Sequence, residues 1–522
     1  MRILYLDLDA LNPSHLGCYG YHRNTSPNID RVAREGIRFD NVYCSDAPCL
    51  PSRTAFYQSR FGIRTGVVGH GGTAADPKCE GVGRNFRSTY EEDSFPRQLQ
   101  KLGYHTAMIS PFGQRHAAHQ FYAGFHEIHN TGECGQEPVD LVEPVLRRWV
   151  EANAKRDHWY LHLNFWDIHT NYRVPMDYGN PFKDDPVAEW FTDEVIREHQ
   201  KRGGPHSAQD LGMYTDSDTA AYPRTPSRIT DRASLKQWID GYDVAIRYVD
   251  DAIGRLFDAL REQGVFDDTA IIITADHGEN QGDLGIYGEH ATADQGTCRI
   301  PFVVKWPGVS GGRVDAGLHY HFDWAPTCLE LMGQDAAALT PTVWDGRSFA
   351  DALRAEAGAS SDVASRSELV LSQCAHVCQR SVRFDQGSHR WLYLRTYHDG
   401  LHPFPRHMLF DLAADPHEQH NLADQHPGVV RDAAARLLDW HDRAMAAVAR
   451  ESGDAVDPMI TVLREGGPFH ARFDTISEAP TDLPAYLSRL EQTGRAEAAE
   501  SLRRRYTDDA GRITLRQPRF LE

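Results

Sequence analysis

The sequence predicts an α/β fold: a large mixed, mostly parallel sheet sandwiched by helices, with a smaller C-terminal antiparallel sheet subdomain. Three observations carry this expectation. The runs "RILYLDL", "HWYLHLNFWDIH", "TAIIITADHGEN" and "IPFVVKWPG" are apolar at successive positions, as strands buried on both faces are. Helical stretches alternate with them, the pattern of a sheet covered by helices. After about residue 370 the pattern changes to shorter strands joined by turns.

Each element has a local reason. "RILYLDL" is a short buried strand. In "SPNIDRVAREG" Ser26 is the expected N-cap, Pro27 takes the first helical position, Ile29, Val32 and Ala33 form the apolar face, and Gly36 stops the helix. "SFPRQLQKLGYHTAMIS" reads as helix then strand with Gly103 between. "LKQWIDGYDVAIRYVDDAIGRLFDALREQG" is a long helix with Trp238, Tyr242, Ala245, Val249, Ile253, Leu256 and Leu260 on one stripe. "HRWLYLRTY" and "HMLFDLAADPHEQHNLADQ" form the small antiparallel sheet and its exit turn, followed by the helix "VVRDAAARLLDWHDRAMAAVA". The tail carries one helix, "LPAYLSRLEQTGRAEAAESLRRRY". The expected division is a catalytic α/β domain over 1–370, a small sheet-plus-helix subdomain over 371–450, and an extension over 451–522 that packs on the domain or on a neighbouring subunit.

Composition narrows the function. The chain has 522 residues, 41% hydrophobic and 25% charged, ordinary for a globular protein. No run approaches the ~20 apolar residues of a membrane span, and "MRILYLDLDAL" lacks the basic flank and long apolar run of a signal peptide. A cytoplasmic location is expected. The nine cysteines are scattered and odd in number, which suits free thiols rather than a disulfide framework. "CAHVC" at 374–378 has no second pair at zinc-finger spacing close behind it and is read as structural. A formal net charge of −19 excludes general binding to nucleic acid or anionic membrane. An anionic substrate must be drawn by a local site of metal, arginines and histidines.

In such folds reactive groups gather beyond the C-terminal ends of strands. The strand ends here read "DLD", "WDIH" and "ADHGEN". Asp9, Asp276 and His277 are candidate ligands for a hard divalent cation, which wants several oxygens. Asp7 lies two residues before Asp9 on the same strand face. Cys49, in "DAPCLPSRTAF", is a buried thiol, a metal ligand or a nucleophile.

The run "CYGYHRNTSPNIDRVAREGIRFDNVYCSDAPCLPSRTAFYQSRFGIRTG" resembles the N-terminal region of type I sulfatases, within the alkaline phosphatase superfamily. So do "TADHGENQGDLGIYGEH", "RIPFVVKWPG", "FDWAPTCLELMG" and "LFDLAADPHEQHNLA", in order and at matching spacing. The resemblance implies a sulfate ester hydrolase, with a phosphonate monoester or phosphodiester hydrolase on the same scaffold as the alternative. In C-x-P-S-R the cysteine is oxidised to formylglycine, so a formylglycine-generating enzyme is an implied partner. Cys49 would then act as an aldehyde hydrate: one hydroxyl attacks sulfur, and the other expels sulfate as the aldehyde reforms. Arg53 would hold the hydrate. A metal, Ca2+ or else Mg2+ or Mn2+, would bind Asp9, Asp276, His277 and the oxygen at 49, with Asp7 as a further candidate. "WDIHTNY" resembles the family's Asp-Pro-His stretch and makes His169 a sulfate contact. The implied substrate is a small sulfated sugar, glycan fragment or metabolite. A homo-oligomer is compatible with the tail.

The chain departs from the family pattern at three places. The usual second aspartate of the first strand falls on Ala10. The usual lysine nine residues before the arginine of R-x-P falls on His290, expected to bind sulfate and, because histidine can give up a proton near neutral pH, to act as general acid to the leaving oxygen. The usual Gly-Lys-Trp-His is replaced by "SPFGQRHAAH", which makes Arg115 and His116 the candidate cationic and proton-donating groups. His70, in "VVGHGG", is a candidate for lining the pocket.

Overall fold

The structure is a computed structural model that describes residues 1–78, 89–339, 344–355, 365–451, 455–468, 483–508 and 511. Much of the 451–522 extension lies outside the described residues.

Eight strands form the large sheet, in the order Arg313–Tyr320, Ile37–Tyr43, Arg299–Lys305, Thr269–Thr274, Arg2–Leu8, Trp159–Phe165, His105–Ile109 and Glu127–His129. Only Arg299–Lys305 runs antiparallel to its neighbours; the other pairs are parallel. The central strands are the apolar runs of the sequence, and they end together. Asp7 stands level with Asn164 on one side and Thr274 on the other. Asp9, the stretch Trp166–His169, and Asp276–His277 therefore emerge side by side just past the sheet's C-terminal edge.

The two faces of the first strand explain what covers them. Tyr5, on the same face as Asp7, stacks on Phe56 with ring centroids 4.8 Å apart. That contact lays the helix Cys49–Gln58 across this face. The long helix Arg232–Glu262 has the predicted stripe buried; it packs with the helices Pro27–Glu35 and Val139–Asn153. Gly36 ends its helix as expected. Its φ is −118°, and a Cβ there would stand 2.3 Å from the Val304 carbonyl oxygen of the adjoining strand. Glycine is needed for close approach to the sheet, not for a left-handed turn.

The small sheet orders His407–Asp411, His389–His398, Cys378–Gln386, Glu368–Gln373 and Asp46–Ala47. The expected boundary at 370 cuts its fourth strand. Its last strand comes from the catalytic part of the chain, two residues before Cys49, and pairs in parallel with Ser372 and Gln373. The small sheet is thus hydrogen-bonded to the segment that presents Cys49. The tail also differs from expectation: the single helix of the sequence reading is two, Leu483–Gln492 and Ala496–Arg505. Gly494 between them has φ +78°, a conformation that interrupts a helix and favours glycine. The break lets Arg495 point inward to Asp210, at 2.5 and 3.0 Å, beside Arg489 (2.7 Å) and Tyr486 (2.8 Å). This part of the extension packs on its own chain. Among the described residues no helix is long and apolar enough to cross a membrane, and every described cysteine is a free thiol.

Candidate active site

The site grows from Arg53. One turn into the helix that begins at Cys49, its guanidinium is buried and reaches three carboxylates: Asp7 through Nε at 2.9 Å, Asp9 through Nη2 at 3.0 Å and Asp276 through Nη1 at 2.6 Å. All three acids are buried as well. Three acids against one cation leave an excess of negative charge in a region that water does not screen. Burial opposes the charge of Asp7, but Arg53 and His162 outweigh it and bring its pKa to about 2. Burial dominates at Asp276 and, despite Arg53, raises it to about 7.

Cys49 stands at the centre. Its Sγ is 3.1 Å from His277 Nε2. One ligand-type atom from each of Asp9, Cys49, Asp276 and His277 falls within 4.8 Å of the others. Asp9 Oδ1 is buried and has no hydrogen-bond partner. His277 donates Nδ1–H to the Gly278 carbonyl at 2.7 Å, which leaves Nε2 as an acceptor facing Cys49. A lone buried carboxylate oxygen, an aimed imidazole nitrogen and uncompensated negative charge fit a divalent cation. Burial, reinforced by Asp9 and Asp276, raises the Cys49 pKa well above that of a free thiol. Unmodified, it is therefore a protonated thiol and a poor nucleophile.

Asp7 is not among the residues whose ligand-type atoms cluster with Cys49; its Oδ2 is taken by Arg53 and, at 3.2 Å, by His162 Nε2, while its Oδ1 is buried without a hydrogen-bond partner. It orients the arginine. Position 10, where the family pattern has an aspartate, contributes its backbone: Ala10 has φ +62°, and its N–H points to Asp276 Oδ1 at 3.4 Å.

Histidines ring Cys49 on the open side. His290 lies against His277 with ring centroids 4.2 Å apart and planes tilted by 33°, and His169 lies 5.1 Å from His290. His169 donates Nδ1–H to the Thr170 carbonyl at 2.5 Å; burial, aided by Arg115, lowers its pKa to about 4 although Asp9 opposes this. Glu279 steadies the chain beyond it, accepting from Thr170 Oγ1 at 2.7 Å and Tyr172 at 2.9 Å. His70 and His116 lie 4.8 Å apart, and both have a nitrogen near Cys49 Sγ. Burial and then Arg115 push His116 down to about 3. Arg115 itself is exposed: it bonds the Gly135 carbonyl at 3.1 Å and lies 5.0 Å from the Trp166 ring. Its charge still acts on Cys49, His116 and His169.

At His290, burial, with His277 and His169 beside it, holds the pKa well below the ordinary value in the ligand-free arrangement. Its Nε2 is 3.3 Å from Glu289 Oε1, and Glu289 is itself raised to about 8 by burial.

Sequence reasoning missed His162, Glu289, His376 and His321. His162 left a trace, a polar residue in the middle of a strand buried on both faces. His321 donates Nε2–H at Ser52, 2.9 Å from its carbonyl and 3.1 Å from its Oγ, and steadies the helix of Cys49. The cysteines of "CAHVC" pack in a small core with Val68, Ala74, Met459 and Val462. The histidine between them faces the site.

A family model described as Sulfatase matches residues 2–334. An N-acetylglucosamine-6-O-sulfatase of Bacteroides thetaiotaomicron is 23% identical over 81% of this chain and 82% of its own. Among solved structures, one described as in complex with its substrate D-glucosamine-2-N,6-O-disulfate superposes with a TM-score of 0.64 at 20% identity, covering 85% of this chain and 98% of that one. The phosphonate monoester hydrolase of Agrobacterium radiobacter gives 0.61 at 18% identity, covering 85% and 96%.

Proposed function

This chain belongs to the sulfatase family and is a sulfate ester hydrolase; from that premise we propose that it works through formylglycine made from Cys49, with a divalent cation, Ca2+ first, and acts on a small sulfated sugar. The observation that carries this reading is the convergence of Asp9, Asp276 and His277 on Cys49 Sγ, with Arg53 tying the acids together. A high-pKa thiol is unsuited to attack sulfur. An aldehyde hydrate supplies two hydroxyls, one to attack sulfur and one to expel sulfate afterwards. Asp9, Asp276 and His277 would hold the cation, which would polarise the sulfate oxygens.

The chain's own residues complete the arrangement. Arg53 holds the acids and offers positive charge beneath residue 49. His290 and His169 present ring nitrogens where sulfate oxygens would lie. A sulfate brought against His290 adds the negative charge that favours its protonated form. That would let His290 serve the leaving oxygen as general acid. The relative named for N-acetylglucosamine 6-O-sulfate and the neighbour bound to a sulfated glucosamine support a sugar sulfate.

A second reading, phosphonate monoester or phosphodiester hydrolysis, is favoured by the phosphonate hydrolase neighbour and by Ala10 standing where the family has an acid. Parallel assays on an aryl sulfate and an aryl phosphodiester decide between them. A higher kcat/KM on the sulfate is expected; a higher value on the diester overturns the choice.

A further inference from the structure

We propose that His376 is a specificity-determining residue that contacts the alcohol half of the sulfate ester. The assignment rests on the sugar-sulfate reading above. His376 comes from the small sheet, in the turn between the strands Glu368–Gln373 and Cys378–Gln386. That turn is built to aim it. Gln373 donates through Nε2 to the His290 carbonyl at 2.8 Å, and its Oε1 accepts from the backbone N–H groups of Ala375 at 2.6 Å and His376 at 3.0 Å. One amide therefore ties His376 to His290. Gln373 also pairs with Ala47, two residues from Cys49, which fixes the turn relative to the nucleophile. Glu289 completes the bracket, with Oε1 at 3.3 Å from His290 Nε2 and 3.5 Å from His376 Nδ1.

The placement decides what His376 touches. His277 and His290 each have a nitrogen in reach of Cys49 Sγ, as do His70 and His116. His376 stands one ring further out, 5.2 Å from His290 and 6.1 Å from His70. With sulfur seated at residue 49, inner histidines meet sulfate oxygens. A ring one step outward meets the carbon skeleton past the ester oxygen. Such a rim of imidazoles hydrogen-bonds hydroxyl or amide groups better than it packs an aromatic ring. A site that hydrogen-bonds a substrate hydroxyl discriminates strongly against analogues without it.

The test compares the formylglycine-containing wild type, His376→Ala and His376→Asn on a hexosamine 6-sulfate and on 4-nitrophenyl sulfate. His376→Ala should raise KM for the sugar sulfate roughly tenfold more than for the aryl sulfate, the size of one lost hydrogen bond. His376→Asn, which keeps a hydrogen-bonding group, should recover part of that difference. Equal losses on both esters, or a fall in kcat with KM unchanged, overturn the assignment. Melting midpoints of the three proteins separate a folding defect from a binding one. A wild type that cleaves the aryl sulfate and no hexosamine sulfate overturns the sugar reading itself, whatever the variants do.

Discussion

Replacing Arg53 by methionine removes the cation shared by three buried carboxylates while keeping a side chain of similar length. Its bonds to Asp7, Asp9 and Asp276 are 2.6–3.0 Å long. Breaking one buried ion pair costs about 3–5 kcal/mol, because the surviving charge stays buried without compensation. Here three acids lose the same partner, so Arg53→Met should destabilise the metal-free protein by at least that amount. The sign of its pH dependence follows. Without Arg53, Asp7 loses the main partner that holds its pKa down against burial, and Asp276, already raised by burial, is raised further. The penalty then grows as pH rises through the range between each acid's pKa with and without Arg53 and shrinks in acid. A divalent cation supplies the missing charge, and at a hundred times its Kd it restores about 2.7 kcal/mol. Turnover should fall by about 10²–10³, the scale for one charge-stabilising group. Thermal melts with chelator and with Ca2+, at acid and neutral pH, read stability; sulfate release reads turnover. A variant that melts like wild type in chelator and turns over normally refutes the electrostatic account of the site.

Other predictions follow from the same geometry. His290→Ala should lower kcat/KM more on esters with poor leaving groups than on activated aryl esters; equal losses would remove the leaving-oxygen role. Chelation should abolish sulfate release and lower the melting midpoint, and added Ca2+ should restore both, whereas indifference to chelator would contradict the ligand assignment of Asp9, Asp276 and His277. Asp457 is held by Arg380 through two bonds of 2.8 Å. Burial opposes its charge, yet Arg380 outweighs burial and depresses its pKa. Its contribution to stability is therefore present above the ordinary carboxyl pKa of ~4 and is lost as pH falls below it. Asp457→Asn should cost about 3–5 kcal/mol at neutral pH and flatten the acid limb of a melting-temperature profile.

The sequence was most readable where one-dimensional signals are strong. Apolar runs located the central strands because burial on both faces leaves no polar position. The acids at strand ends located the metal candidates because a parallel sheet gathers its C-terminal ends along one edge. Cys49 and Arg53 were legible because the run around them resembles the C-x-P-S-R stretch of type I sulfatases. The bonds of Asp7 Oδ2 to Arg53 and His162 were not legible, because strand alternation gives a face but not a partner. His376 was invisible for the opposite reason. Its role depends on the edge pairing between Asp46–Ala47 and Ser372–Gln373, over 300 residues apart in the chain. Nothing local marks that pairing. The lowered pKa of His290 was not legible because the burial of a histidine among histidines is a tertiary fact. The two-helix tail turned on Gly494, where helical periodicity on both sides outweighed one glycine in the reading of the sequence.

The central claim is that residue 49 works as formylglycine and not as a thiol. Mass analysis of the peptide containing Cys49, from protein made in its own host and active on a sulfate ester, tests this most directly. The account predicts a peptide about 18 Da lighter than the cysteine form, from the atoms exchanged on conversion to an aldehyde. A fully active preparation carrying only unmodified cysteine would contradict it.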